Sequence, residues 1–149
     1  MVKEGDKAID FELKDSDGNI IKLSDFKGKD VILYFYPKDD TPGCTLEACS
    51  FRDEFSEYKN KGIIVLGISK DNEKSHKKFI EKHKLPFTLL VDDDKTAEKY
   101  DSYGKKKFMG REYYGIIRKT FIIGKDGKIK KIIDNVNTKT HAKDILEMF

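Results

Sequence analysis

Both cysteines of this 149-residue chain, Cys44 and Cys49, lie in one short segment. A cysteine thiolate is a strong nucleophile and a soft metal ligand, so this segment indicates thiol chemistry. Thr41 is a favourable helix N-cap and Pro42 suits the first helical position, which predicts a helix with Cys44 in its first turn. The free backbone N–H groups and the positive end of the helix dipole favour an anion there. The sequence therefore predicts that Cys44 is a reactive thiolate.

A nearby cation would stabilise this thiolate and the negative charge that develops when it reacts. Arg118 is our candidate, because a planar guanidinium donates to two acceptors at once and because the chain uses lysine far more often than arginine. Arg118 also precedes the apolar run 120–123, so it could equally be a surface arginine at the start of a strand. The residue by itself does not decide between the two.

Cys49, taken by itself, is predicted to be a small apolar core residue on one face of the helix. The chain contains no third cysteine.

The segment with the two cysteines joins a strand to a helix in an α/β pattern. Residues 31–36 and 63–69 are nearly continuous apolar runs, as expected for strands that are covered on both faces. Gly62 ends the intervening helix. The residues that define the inner side of this helix are Leu46, Cys49, Phe51, Phe55 and Tyr58.

The remaining elements complete one domain over residues 1–149. Hairpins are predicted for 8–14 with 20–23, around a turn at 15–18, and for 120–123 with 129–133. A helix over 72–84 with Phe79 and Ile80 inward, a strand over 87–91 and a closing helix over 140–149 fill the rest. The closing helix is expected to turn Ile145, Leu146 and Phe149 inward. Together these elements predict a three-layer α/β/α sandwich with a mixed central sheet and an N-terminal β-hairpin.

The cysteine segment resembles a known family. Residues 37–44 match the Pro-x-x-x-Thr-x-x-Cys pattern of the peroxiredoxins, and FYPKDDTPGCTLEAC at 35–49 is similar to the peroxiredoxin Q, or bacterioferritin comigratory protein, subfamily. The similarity continues through GIIRKTFII at 115–123 and to Val136 and His141. It implies a thioredoxin-like fold and a peroxidase that reduces hydrogen peroxide and organic hydroperoxides. It also implies recycling by thioredoxin or a similar dithiol donor.

The resemblance assigns roles to individual positions. It implies that Cys44 attacks the peroxide, that Cys49 resolves the product as a disulfide, that Thr41 bonds the thiolate and the peroxide, and that Arg118 activates both. Four further residues are expected to support the site: Pro37 from the motif, Pro42 shielding the sulfur, Gly43 offering a backbone N–H, and Glu47 orienting Arg118. We expect a monomer with no cofactor and no metal ion.

Two other functions fit parts of the sequence. A thioredoxin-like disulfide oxidoreductase would share the fold, but it would use a Cys-x-x-Cys pair where this chain has Cys-x-x-x-x-Cys. A metal-binding module would use Cys44, Cys49 and His141, but cysteines five apart on a helix point to different faces and His141 is distant in sequence.

The charge distribution limits the partners. The formal net charge is +3 and the lysines are interleaved with acids, which argues against a nucleic-acid-binding protein. No stretch approaches the roughly 18 apolar residues of a membrane span, and the N-terminus has no secretory leader pattern, so we expect a soluble cytoplasmic protein.

Several polar or aromatic features are interpreted without a catalytic role. We expect residues 105–107, three lysines, to form a solvated loop, and 92–94, three aspartates, to form an acidic turn. His76 and His83 are expected on the solvated side of their helix, and no role follows for His141. Tyr113 and Tyr114 either wall the site or pack on other aromatic residues.

Overall fold

The computed structural model describes residues 2–149, and its strands and helices follow the predicted alternation. Their order along the chain is β1 (Glu12–Asp15), β2 (Ile20–Lys22), β3 (Val31–Phe35), α1 (Pro42–Asp53), α2 (Phe55–Asn60), β4 (Ile64–Ser69), α3 (Glu73–His83), β5 (Thr88–Val91), α4 (Thr96–Lys99), β6 (Tyr103–Phe108), β7 (Arg111–Ile116), β8 (Lys119–Ile123), β9 (Ile129–Ile133) and α5 (His141–Leu146).

Seven strands form a mixed sheet in the order β2-β1-β5-β4-β3-β8-β9. The central strands β3, β4 and β5 are parallel, while β8 runs antiparallel to β3 and the hairpin β1–β2 lies at one edge. The predicted mixed sheet and N-terminal hairpin are therefore confirmed. Strands β6 and β7 form a separate two-stranded sheet.

Alternate side chains of β3 enter two different cores. Ile32 and Tyr34 pack with residues of α1, α3 and α5 on one side of the sheet. Leu33 and Phe35 pack on the other side with Ala97 of α4 and neighbouring residues. Because every residue of β3 is buried, its sequence is continuously apolar instead of alternating. Helices on both faces give the predicted three layers.

Local signals at helix ends agree with the structure. The Asn72 side chain accepts a hydrogen bond from the Ser75 backbone N–H at 2.8 Å, which caps α3. Lys84 ends that helix in the left-handed region with φ 52°, and Gly62 has φ 69° after α2. The helix predicted over 72–84 is thus confirmed within one residue at each end.

Two predicted helices differ from the structure. The helix predicted between β3 and β4 is interrupted at Glu54 and becomes α1 and α2, and Leu46 is exposed instead of inward. The closing helix is shorter than predicted, so Phe149 lies beyond α5 and is 40% exposed. Ile145 is buried as expected.

Two polar predictions are wrong. Residues 105–107 belong to strand β6, where pairing with β7 satisfies their backbone, and do not form a loop. His76 has no exposed surface, because polar partners reach it inside the protein, and His83 keeps only 19% of its side chain exposed. The acidic turn at 92–94 is confirmed, since Asp93 accepts hydrogen bonds from two backbone N–H groups at the start of α4.

Within residues 2–149, no helix combines the length and the apolar character that a membrane crossing requires.

Candidate active site

The loop from β3 to α1 places Cys44 at the helix N-terminus. Thr41 occupies the N-cap with extended backbone (φ −86°, ψ 155°), and its carbonyl accepts the Thr45 N–H at 2.8 Å. Pro42 is the first helical residue, as predicted, and Pro37 lies at the opposite end of the loop. Cys44 is consequently in the first turn, with 1% of its surface exposed.

Sheet pairing brings Arg118 to the same place. Strand β8 runs antiparallel to β3 with Phe35 opposite Lys119, so Arg118 lies beside the strand end that leads into the loop. One guanidinium nitrogen, Nη2, lies 3.3 Å from Cys44 Sγ. The other, Nη1, donates to Glu47 Oε1 at 2.5 Å. The fork of Arg118 thus joins the thiol to a carboxylate.

Glu47 is buried one helical turn after Cys44, with no exposed surface. Burial raises the pKa of Glu47 from 4.5 to about 7, and the charge of Arg118 opposes that shift. Among the described residues, the second oxygen Oε2 has no hydrogen-bond partner.

His141 closes the inner side of this group. Its Nε2 lies 2.8 Å from Thr120 Oγ1 and 3.7 Å from Glu47 Oε2. Burial lowers the pKa of His141 to about 4, so the ring is neutral at pH 7. No role for His141 followed from the sequence. The available signal was that Thr120, its partner in β8, is two residues after Arg118.

Gly43 lets the guanidinium approach the helix. A Cβ atom at residue 43 would lie 3.2 Å from Arg118 Nη2, closer than ordinary contact distance. The glycine therefore makes room for the cation next to Cys44.

The Thr41 hydroxyl lies at the rim of the site but bonds elsewhere. It donates to the Lys38 carbonyl at 2.8 Å, and among residues 2–149 no hydrogen bond joins it to Cys44. Its oxygen retains lone pairs for a further hydrogen bond.

Cys49 lies on the same helix as Cys44, and both cysteines are free thiols. Burial raises the pKa of Cys49, whose side chain is partly exposed. Residues five apart on an α-helix are separated by about 7.5 Å along the axis. A disulfide requires Cα atoms within about 6.8 Å, so the two thiols cannot bond while the helix is intact.

A buried polar cluster that the sequence did not predict holds the loop between β3 and α1 in place. Asp39 accepts hydrogen bonds from the Tyr36 hydroxyl at 2.6 Å and the Ser75 hydroxyl at 2.8 Å, and lies 2.7 Å from His76 Nδ1. His76 Nε2 contacts the Leu90 carbonyl at 2.9 Å. These contacts fix the residues before Thr41 to α3 and β5.

Within residues 2–149, one group of side chains has its ligand atoms close enough for a metal ion: Asp39, Asp71 and His76. It contains neither Cys44, Cys49 nor His141. The three ligands of the alternative metal-binding interpretation are therefore not brought together.

Sequence comparisons identify relatives over almost the full chain. The model of the AhpC/TSA family matches residues 4–132. Peroxiredoxin Bcp of Bacillus subtilis is 49% identical over 147 residues, covering 98% of this chain and 94% of the relative. Peroxiredoxin Bcp of Escherichia coli K12 is 46% identical over 146 residues, covering 97% and 94%.

Solved structures share the fold. A cysteine-to-serine variant of PrxQ from Xylella fastidiosa superposes with a TM-score of 0.93 at 31% identity, covering 99% of this chain and 95% of that one. The bacterioferritin comigratory protein of Xanthomonas campestris, whose structures address its alkyl peroxide reduction, gives 0.86 at 32% identity and covers 93% and 88%. The predicted thioredoxin-like fold and the resemblance to peroxiredoxin Q are confirmed.

Proposed function

Because this chain belongs to the AhpC/TSA family and is a thiol peroxidase, we propose that Cys44 reduces the hydroperoxide and that Cys49 resolves the oxidised product. The observation that carries the proposal is the contact of Arg118 Nη2 with Cys44 Sγ at 3.3 Å. A buried thiol at a helix N-terminus with a fixed cation beside it has the environment that a reactive thiolate needs.

The first step transfers one oxygen atom. The Cys44 thiolate attacks one oxygen of the hydroperoxide, an S–O bond forms, and the O–O bond breaks. The departing oxygen takes up a proton and leaves as water or an alcohol, while Cys44 becomes a sulfenic acid. Arg118 donates hydrogen bonds towards the sulfur and the oxygen that gathers negative charge.

The neighbours of Cys44 have supporting roles in this proposal. Glu47 holds the guanidinium in place through its hydrogen bond at 2.5 Å. The Thr41 hydroxyl, which already donates to Lys38, accepts a hydrogen bond from the peroxide. Pro42 shields the sulfur and the backbone N–H groups of the first turn face the peroxide oxygens.

Resolution requires the helix to open. The Cys49 thiol attacks the sulfenic acid, water leaves, and a Cys44–Cys49 disulfide forms. Because the helical separation exceeds the reach of a disulfide, the first turns of α1 unwind before this bond forms. A dithiol protein, thioredoxin or one similar to it, then reduces the disulfide.

Two variants separate these steps. Cys44→Ser is expected to abolish peroxide consumption in a coupled thioredoxin assay. Cys49→Ser is expected to consume about one equivalent of peroxide and to leave a sulfenic acid that a dimedone-type reagent traps, without further turnover. Full thioredoxin-driven turnover of Cys49→Ser would exclude Cys49 as the resolving residue, and retained activity of Cys44→Ser would exclude Cys44 as the nucleophile.

A further inference from the structure

The hairpin formed by β6 and β7 is positively charged. Residues 103–117 contain four cations and one carboxylate, a net charge of +3. Carboxylates are therefore scarce on this hairpin.

The same hairpin carries much of the exposed apolar surface. Phe108 and Met109 at its tip are 66% and 88% exposed. The other large apolar side chains exposed on it are Tyr113, Tyr114 and Ile117. Clusters of exposed apolar residues of this kind mark sites of interaction.

The two faces of the hairpin differ in chemistry. Residues paired across the ladder share a face, so Gly104, Lys106, Phe108, Arg111, Tyr113 and Gly115 lie on one side, which we call the glycine face. Ile117 extends this face, since a Cβ atom added to Gly104 would lie 3.2 Å from Ile117 Cδ1. The glycine face has two cations and no carboxylate.

On the opposite face four side chains contact one another in pairs, and Lys107 is in no ion pair within residues 2–149. Lys105 forms an ion pair with Glu112 at 2.7 Å, and Tyr114 stacks on Tyr103 with ring centroids 6.3 Å apart. The glycine face therefore has a net charge of +2 and no carboxylate, whereas the opposite face has a net charge of +1.

The glycine face begins at the candidate active site. Ile117 directly precedes Arg118, and Lys106 Nζ donates to the Ile116 carbonyl at 2.9 Å. Burial and the nearby charge of Arg118 lower the pKa of Lys106, whereas Cys44 acts to raise it. The face thus runs from the neighbourhood of Cys44 to the exposed tip.

We propose that the glycine face is the docking surface for the dithiol reductant, a protein with apolar surface and carboxylates beside its cysteine pair. The proposal rests on the proposed function. Reduction requires a donor thiolate to attack one sulfur of the Cys44–Cys49 disulfide, which forms a mixed disulfide and frees the other cysteine. The second donor thiol then attacks the mixed disulfide and releases the bound cysteine. The donor becomes a disulfide and so supplies two electrons and two protons. A donor that reaches the sulfur must cover the surface next to Arg118.

The extent and charge of the face favour this occupant over others. A six-residue strand spans about 20 Å, much more than a hydroperoxide needs. A second copy of this chain would bring cations against cations. The apolar residues continue from the tip to Ile117, whereas membrane insertion would use the tip alone. A few aromatic and arginine anchors suit a transient redox complex that buries less than about 1,200 Å².

Matched variants on the two faces test the proposal. Arg111→Glu and Tyr113→Ser alter the glycine face, whereas Lys107→Glu and Tyr114→Ser make the same changes on the opposite face. Each disulfide form is reduced with an acidic thioredoxin and, separately, with dithiothreitol, and each reduced form is reacted once with hydrogen peroxide.

Each glycine-face variant is expected to slow reduction by thioredoxin about tenfold, the effect of losing about 1.4 kcal/mol at an interface. Reduction by dithiothreitol, the peroxide step and the opposite-face variants should change less than about twofold. Added salt should slow the wild type more than Arg111→Glu.

Equal losses on both faces, or an equal loss with dithiothreitol, would overturn the proposal. It would also be overturned if thioredoxin failed to reduce the wild-type disulfide, or if Arg111→Glu instead lost binding to anionic phosphatidylserine vesicles while keeping full reduction by thioredoxin. Failure of the proposed function is distinguishable, because then no Cys44–Cys49 disulfide would form with peroxide.

Discussion

Replacing Arg118 tests whether the geometry of its guanidinium, and not only its charge, drives the peroxide reaction. At 3.3 Å, two unit charges attract by about 5 kcal/mol in a medium with an effective dielectric constant of about 20. The net effect is smaller, because Glu47 shares the guanidinium and burial of Arg118 costs free energy. We take the value of a charge-assisted hydrogen bond, about 1.5–3 kcal/mol, which corresponds to a rate loss of roughly 10- to 150-fold.

Two substitutions divide this loss. Arg118→Met removes both the charge and the hydrogen-bond donors beside Cys44 Sγ, so the rate of the peroxide reaction should fall. Arg118→Lys keeps the charge, but one ammonium group cannot reach Cys44 Sγ and Glu47 Oε1 with the paired geometry of a guanidinium. We expect the limiting rate of Arg118→Lys at high pH to be at least tenfold lower than that of the wild type.

The assay is a single reaction of reduced protein with hydrogen peroxide, followed by stopped flow between pH 5 and 9. A Cys49→Ser background stops the reaction at the sulfenic acid. Arg52→Lys is the matched control, because Arg52 lies on α1 but donates to Asp53 and the His83 carbonyl. A limiting rate for Arg118→Lys equal to that of the wild type would refute the geometric reasoning, and charge alone would then suffice.

Two further predictions concern α1 and Glu47. Amide hydrogen exchange should show that residues 43–52 lose protection when the Cys44–Cys49 disulfide forms, and equal protection in both redox forms would contradict unwinding. For Glu47, the folded-state pKa of about 7 lies above its ordinary 4.5, so the folded protein binds the proton more tightly and the free energy of unfolding falls as pH rises from about 4.5 to 7. Glu47→Gln should remove up to about 3 kcal/mol of this decline, measured as urea unfolding of the reduced protein at pH 5 and pH 8, and an unchanged decline would show that burial does not perturb Glu47.

The sequence by itself determined the elements whose signals are local. Strands β3 and β4 are almost continuously apolar, and this pattern is strong because both faces of a central strand are covered. Thr41 and Pro42 defined the start of α1, because the cap preference of threonine and the fixed φ of proline act within a few residues. The motif around Cys44 was therefore placed correctly at a helix N-terminus.

Only the tertiary structure decided which distant polar groups meet. A lysine-rich helix predicts a solvated His76, but Asp39 and Tyr36, far away in sequence, lie 2.7 Å and 3.4 Å from its Nδ1 and supply the polar contacts that make its burial favourable. Strand β6 pairs only with β7, outside the main sheet, so neither of its faces has to be apolar. Residues 105–107 therefore lack the alternation of apolar and polar residues by which a strand is predicted. Leu46 is spaced like the inward residues of the helix, but it is exposed because no other element covers α1 at that position.

The arrangement around Cys44 combines both kinds of information. The sequence supplied Arg118 and Glu47 as candidates, but the register between β3 and β8 set the distance from the guanidinium to the sulfur. The packing of α5 against α1 placed His141 behind Glu47, although 94 positions separate them in the sequence. Spacing along a chain fixes neighbours within a helix or strand, whereas contacts between elements depend on how the whole sheet and its helices pack.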